Sequence, residues 1–265
     1  VYIMRSIDYR PDVLRRGARV LGLVVGTDSL KERVLAAGAP VMLLQAIETH
    51  KAERELCISC YSVLAMARST AVVTAVQEMT AVDTAVTVLR QNAADHEFVG
   101  VLLELLWGWA AEPDLATIIA TRAGPTLASL LKTYAENPAA PDRLQHLNYL
   151  LNLMIALLRQ RINPELLIGV GIVPAMDTVV TGIIASSDGH VMLQHRSLVM
   201  QSVTILLETS KPPPKEKDAA PVVSPQGCTA LINAGAGPLL ERILAAYKGV
   251  PDPRVPGQLL YDQSM

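Results

Sequence analysis

The chain has 265 residues, 51% of them hydrophobic, and a formal net charge of −2 from 23 basic and 25 acidic side chains. That balance excludes a global field drawing the protein onto nucleic acid or an anionic membrane. Aromatics make up only 4% with a single Phe, so the apolar material is Ala, Leu, Val and Ile, which suits closely packed helices rather than an aromatic-rich sheet or a ligand pocket.

In chain order, residues 1–10 are expected to be extended, and a helical repeat domain is expected over residues 11–248. Pro11 to Gly26 predicts a first helix. The N-terminal twenty residues hold Arg5, Arg10, Arg15, Arg16 and Arg19 against Asp8 and Asp12, a net of +3. A solvated helix face accounts for that charge, and Arg15, Arg16 and Arg19 are the partner-binding candidates on it. The next segment, "DSLKERVLAAG" (Asp28 to Gly38), opens with Ser29-x-x-Glu32, the spacing of a capping box. At Gly38-Ala39-Pro40 the apolar run breaks, then resumes as "PVMLLQAIETH" and the long "KAERELCISCYSVLAMARS" (Lys51 to Ser69). Glycine ends one helix in a left-handed cap, and proline is tolerated in the first turn of the next.

The same corner returns at Gly124, Gly171 and Gly235. Gly38 and Gly124 lie 86 residues apart, two steps of 43, and the midpoint holds a degenerate copy with Thr80-Ala81 in place of Gly38-Ala39. The next interval is 47, and the last is 64, of which 17 belong to the Pro- and Lys-rich segment "KPPPKEKDAAPVVSPQG" (Lys211 to Gly227), leaving 47. Each repeat reads as short helix, corner, medium helix, loop, long helix, with further start signals at Pro113-Asp114, Pro141-Asp142 and Asn163-Pro164-Glu165. Residues 211–227 are expected to be a loop insertion, and residues 249–265, with prolines at 251, 253 and 256, an extended tail.

Gly38-Ala39-Pro40, Gly171-Ile172-Val173-Pro174-Ala175-Met176 and Gly235-Ala236-Gly237-Pro238-Leu239-Leu240 resemble the corner of the armadillo repeat, with HEAT-like geometry where the Gly-to-Pro offset varies or, at Thr80, both are missing. The resemblance implies an all-α, right-handed α-solenoid of about four to five three-helix repeats in which stacked layers share one core. Pro11 to Gly26 is then the last helix of a truncated first repeat, and Cys228 to Lys248 the first two helices of a fifth.

Candidate chemistry is sparse. Cys57-Ile58-Ser59-Cys60 has the C-x-x-C spacing, but it lies in mid-helix with no second ligand pair, so packing is the expected role. Gly169-x-Gly171 and Gly235-x-Gly237 read as corner glycines rather than phosphate loops. His190 and His195 are five apart, off one helical face, and His50, His96 and His146 lie near helix ends. No enzyme activity, cofactor, metal or small-molecule substrate is expected. With three cysteines and no apolar run of the roughly eighteen residues that a spanning helix requires, the chain is expected to be soluble and cytoplasmic, with an organelle as a further possibility.

The expected function is recognition. In armadillo-like stacks the third helices line a concave groove, and here these are Lys51 to Ser69, His96 to Ala111, Asp142 to Arg161 and His190 to Thr209. Tyr61, Glu104, Trp107, Asn148, Asn152, Gln194 and Gln201 interrupt their apolar faces and are the groove candidates; Glu104 pairs with Trp107 and Asn148 with Asn152 at helical spacing. A structural scaffold subunit contacting other protein subunits is the leading expectation, with the cytoskeleton or cilium as a setting in which similar proteins occur. The alternative is a transient peptide- or cargo-binding adaptor of the nuclear-import-receptor type, for which the Trp and Asn ladder here is incomplete. The third helices are mostly neutral, which argues against RNA.

Overall fold

A computed structural model describes residues 10–67, 69–135, 141–160, 162, 165–185, 196–210 and 225–248. Among these the chain is all helical, with no strand. It divides into two compact units, Val1–Leu127 and Ala128–Met265. The first contains α1 (Pro11–Val25), α2 (Asp28–Ala36), α3 (Ala39–Thr49), α4 (Arg54–Ala67), α5 (Thr70–Glu78), α6 (Ala81–Gln91) and α7 (His96–Trp109). α8 (Pro113–Ala135) contains the division, and the second unit continues with α9 (Pro141–Arg159), α10 (Glu165–Gly169), α11 (Ile172–Ala185), α12 (Arg196–Ser210), α13 (Pro225–Asn233) and α14 (Ala236–Tyr247).

The corners are real and nearly identical in backbone. Gly38, Gly171 and Gly235 take φ of 78°, 85° and 92°, the left-handed region that glycine enters without cost. Each donates its N–H to the carbonyl three residues back: Gly38 to Leu35, Gly171 to Ile168, Gly235 to Ile232. Thr80 adopts the same conformation at φ 49° and donates to Gln77, and the chain turns through 78° there between α5 and α6. It is the only non-glycine with positive φ among the described residues.

Burial repeats with the corners. In α1 the core positions are Leu14, Ala18, Leu21 and Val25; a shift of 42 residues gives Leu56, Cys60, Val63 and Ala67 of α4, all buried. A second shift of 42 carries Leu56, Cys57, Cys60, Tyr61, Val63 and Leu64 onto Phe98, Val99, Leu102, Leu103, Leu105 and Leu106 of α7. Within the first unit α4 packs against both α1 and α7, so equivalent helices lie side by side and share one apolar seam. In the second unit α9 packs on α12 in the same manner, and α11 on α14. Each of these helices buries apolar side chains against its equivalent in the neighbouring copy, which is why the pattern recurs.

Three expectations are corrected. No corner forms at Gly124: α8 runs through Gly124 and Pro125 without interruption. Buried Ala123 occupies the place of Ala39 and Ala81, so the corner slot falls at Arg122, which is helical. Pro125 then stands in what would be the first turn of the following helix, where a proline ring is tolerated, and the first and second helices of this layer fuse. The cap of α2 is Thr27, because the helix already begins at Asp28, and Ser29 lies inside its first turn rather than at a capping position. Finally, Pro225, Gln226 and Gly227, assigned to the loop insertion, open α13; residues 211–224, the segment 1–9 and the tail 249–265 lie outside the described residues.

Candidate functional site

The candidate residues fall on α1, α4 and α7 of the first unit and on α9 and α12 of the second. α1 begins with Pro11 at its first turn and turns Leu14, Ala18, Leu21 and Val25 inward. Its three arginines separate in space. Arg15 reaches across to Glu55 on α4 and forms an ion pair, so it ties two adjacent helices. Arg16 and Arg19 lie on the exposed side, away from the core.

Tyr61, expected to face a groove, is a core residue at 1% exposure. The register explains the correction, since position 61 is the slot that Leu103 fills one layer on. Its ring lies 6.3 Å from that of Phe98 at an interplanar angle of 47°, its hydroxyl has no hydrogen-bond partner among the described residues, and burial pushes its pKa well above the ordinary tyrosine value. It borders a shallow open cleft with Leu44, Ile47, Met79 and Thr84. At the same cleft Glu48 accepts a hydrogen bond from Thr84 Oγ1 at 2.9 Å and pairs with Lys51.

Glu104 and Trp107 stand one turn apart on α7, both half-exposed, whereas Trp109 is buried. In the second unit Asn148 and Asn152 are half-exposed one turn apart on α9. Gln201 on α12 donates from Nε2 to Asn152 Oδ1 at 3.2 Å, so these two candidates are hydrogen-bonded to each other across adjacent helices. Gln194, His190 and His195 lie outside the described residues. His146 is buried and stacks on Tyr134 with ring centroids 5.3 Å apart.

The cysteine pair sits on the buried seam of α4. Cys57 Sγ donates to the carbonyl of His50 at 3.4 Å. Burial pushes the Cys57 thiol up to about 11 and the Cys60 thiol up to about 12, so neither is a thiolate near neutral pH. No cluster of three or more His, Cys, Asp or Glu side chains positioned to hold a metal occurs among the described residues.

The polar feature that sequence reasoning missed is a clamp at the start of α7. Asp95 is its N-cap, accepting from Phe98 N at 3.1 Å. Arg54, from the start of α4, donates from Nε to Asp95 and from Nη2 to Asp95 Oδ1 at 2.9 Å and Glu97 Oε2 at 2.8 Å. The Arg54 hydrogen bond holds the Asp95 carboxyl below the usual carboxylate range, and the two carboxylates raise the guanidinium. A signal for it existed: Arg15 and Glu55 are 40 residues apart, Arg54 and Asp95 41, Arg54 and Glu97 43, all close to the repeat length. In the second unit Arg242 on α14 pairs with Asp177 on α11.

Large apolar side chains remain exposed on helices whose other faces are packed: Val20 and Leu23 on α1, Met66 on α4, Met200 and Leu207 on α12, and Ile232 on α13. Among the described residues no single helix is long and apolar enough to cross a membrane.

No family model and no curated protein matches the chain. Among solved structures it is similar to the crystal structure of an engineered protein, with a TM-score of 0.58 and 15% sequence identity over 91% of this chain and 85% of that one. At that identity the likeness concerns the fold, which here is all-helical with a repeated layer.

Proposed function

We propose that the protein is a non-catalytic protein-interaction scaffold, a right-handed α-solenoid of armadillo-like layers serving as a structural subunit of a larger assembly. The cytoskeleton or cilium is the setting the armadillo resemblance suggests. One observation carries the reading: Leu23 at 80% exposure and Ile232 at 68% stand on helices already packed on their inner faces, so large aliphatic side chains face outward from ordered surfaces. On the scaffold reading these are the side chains that a neighbouring subunit covers.

The described polar groups support recognition rather than reaction. The C-x-x-C thiols are buried and protonated, and the Asp95 carboxyl deviates from its ordinary value through an ion pair with Arg54 that joins two repeated helices. The adaptor alternative is less well supported. An import-type groove keeps its amides free for an extended peptide backbone, whereas Asn152 and Gln201 are hydrogen-bonded to each other.

Light scattering of the natively purified chain, followed by crosslink mapping, tests the proposal. A stoichiometric complex with crosslinks on α1, the third helices or residues 249–265 is the expected result. A lone monomer in native extracts would refute it.

A further inference from the structure

We infer that the outer face of α1 is a docking site for an acidic amphipathic helix of a partner protein. This inference rests on the scaffold reading and assigns the chemistry of one contact. Arg16, Arg19, Val20 and Leu23 recur at three- and four-residue steps, so they lie along one stripe of α1, opposite the buried Leu14, Ala18, Leu21 and Val25. The stripe is ordered by charge: two arginines in its N-terminal half, then Val20 at 58% and Leu23 at 80% exposure. Arg15, the neighbouring arginine, is neutralised by Glu55, whereas Arg16 and Arg19 form no ion pair among the described residues.

Charge complementarity selects the occupant. Between adjacent helices of the first unit, an arginine of one repeatedly meets a carboxylate at the start of the next: Arg15 meets Glu55, and Arg54 meets Asp95 and Glu97. The outer face of α1 presents the basic half of that arrangement beside aliphatic side chains. A helix with two carboxylates one turn ahead of two aliphatic residues completes it. An anionic membrane fits less well. Polybasic recognition of lipid draws on about four to eight basic residues, and the broad apolar face of α1 is committed to α4.

The probe is a synthetic helical peptide with paired glutamates ahead of paired leucines, titrated into the full chain by fluorescence anisotropy. Saturable binding is expected, weakened about tenfold by Arg16→Glu/Arg19→Glu and similarly by Leu23→Ser. It should also weaken with added salt and vanish for a peptide with lysines in place of the glutamates. All three substituted residues are exposed, and circular dichroism verifies that the variants fold. Equal affinity for acidic and basic peptides, or binding indifferent to both variants, overturns the inference. So does binding of phosphatidylserine vesicles without binding of the peptide, which assigns the face to lipid. So does peptide binding that emerges only when residues 1–9 are deleted, which assigns it to the chain itself. Failure of the peptide while the native complex persists with crosslinks elsewhere removes this contact and leaves the scaffold reading standing. Absence of any native complex removes the scaffold reading instead.

Discussion

Replacing Thr80 by glycine should stabilise the protein. Thr80 is a β-branched residue held at φ 49°, ψ 33°, its side chain makes no capping hydrogen bond, and it is exposed to solvent. A left-handed conformation costs an L-residue about 1–2 kcal/mol, with β-branched side chains toward the upper end. Glycine removes that strain but adds about 0.4–1 kcal/mol of unfolded-chain entropy. The difference leaves a net gain of about 1 kcal/mol. Thr80→Ala keeps a Cβ in the strained region, so its gain is less than half of that. Both tryptophans, Trp107 and Trp109, lie in the same unit as Thr80, so their fluorescence during urea unfolding reports on that unit. With an m-value of about 2–3 kcal/mol/M, the midpoint should rise by about 0.3–0.5 M at constant m. A midpoint that is unmoved or lower would mean that the corner is not strained, and would refute the reasoning.

The glycine corners predict the reverse. Gly171→Ala and Gly235→Ala introduce a Cβ with nothing within 4 Å, so each should lose about 1–2 kcal/mol through backbone strain alone, read as a lower melting temperature with secondary structure retained. Gly22→Ala in α1 should instead stabilise by about 0.5–1 kcal/mol through helix propensity, because the closest contact, Met66 Cε at 3.3 Å, is the end of a flexible, exposed side chain; calorimetry decides the sign. Asp95→Ala should cost about 1 kcal/mol by uncapping α7, and Asp95→Asn, which retains a capping oxygen, should cost less; thermal unfolding of the two variants separates cap from charge. The thiols of Cys57 and Cys60 titrate above their ordinary 9.0 in the folded chain, at about 11 and about 12, so the native state holds more protons than the unfolded one across that interval. Their contribution to stability is therefore complete below about pH 9 and declines from there toward 11 and 12, which urea midpoints measured against pH will follow. At pH 8 alkylation should reach the half-exposed Cys228 well before either.

Much of the architecture was legible because its punctuation is chemical. Glycine at 38, 171 and 235 announces a left-handed corner by itself. Thr80 does so only through its distance from the others, since nothing about threonine favours that conformation. Gly124-Pro125 carries the strongest local signal and forms no corner, because layer packing places Ala123 in the core and sets the true slot at Arg122, two residues before Gly124. In that register the proline falls where a helix accepts it, and local turn chemistry yields to tertiary register. Tyr61 was misread for a similar reason: its hydroxyl suggested exposure, but its position belongs to the seam that Leu103 continues. For the candidate surface, basic character in α1 could be read directly. The difference between Arg15 and its neighbours could not, because it depends on Glu55, which only the packing of α1 against α4 brings near. The mutual hydrogen bond of Asn152 and Gln201 likewise needed α9 and α12 to be placed side by side.

The shared 42-residue register makes successive layers of the first unit interchangeable parts. Splicing out residues 39–80, a stretch of 42, would join Gly38 directly to Ala81 and set Glu97 in the place of Glu55, opposite Arg15, with Phe98, Leu102 and Leu105 meeting Leu14, Ala18 and Leu21. A cut one residue longer or shorter would rotate the incoming helix by about 100° and turn its polar side inward. Such a chain can gain or lose length by duplication or excision only in whole steps, and its surface diversifies while the rhythm beneath it stays in phase.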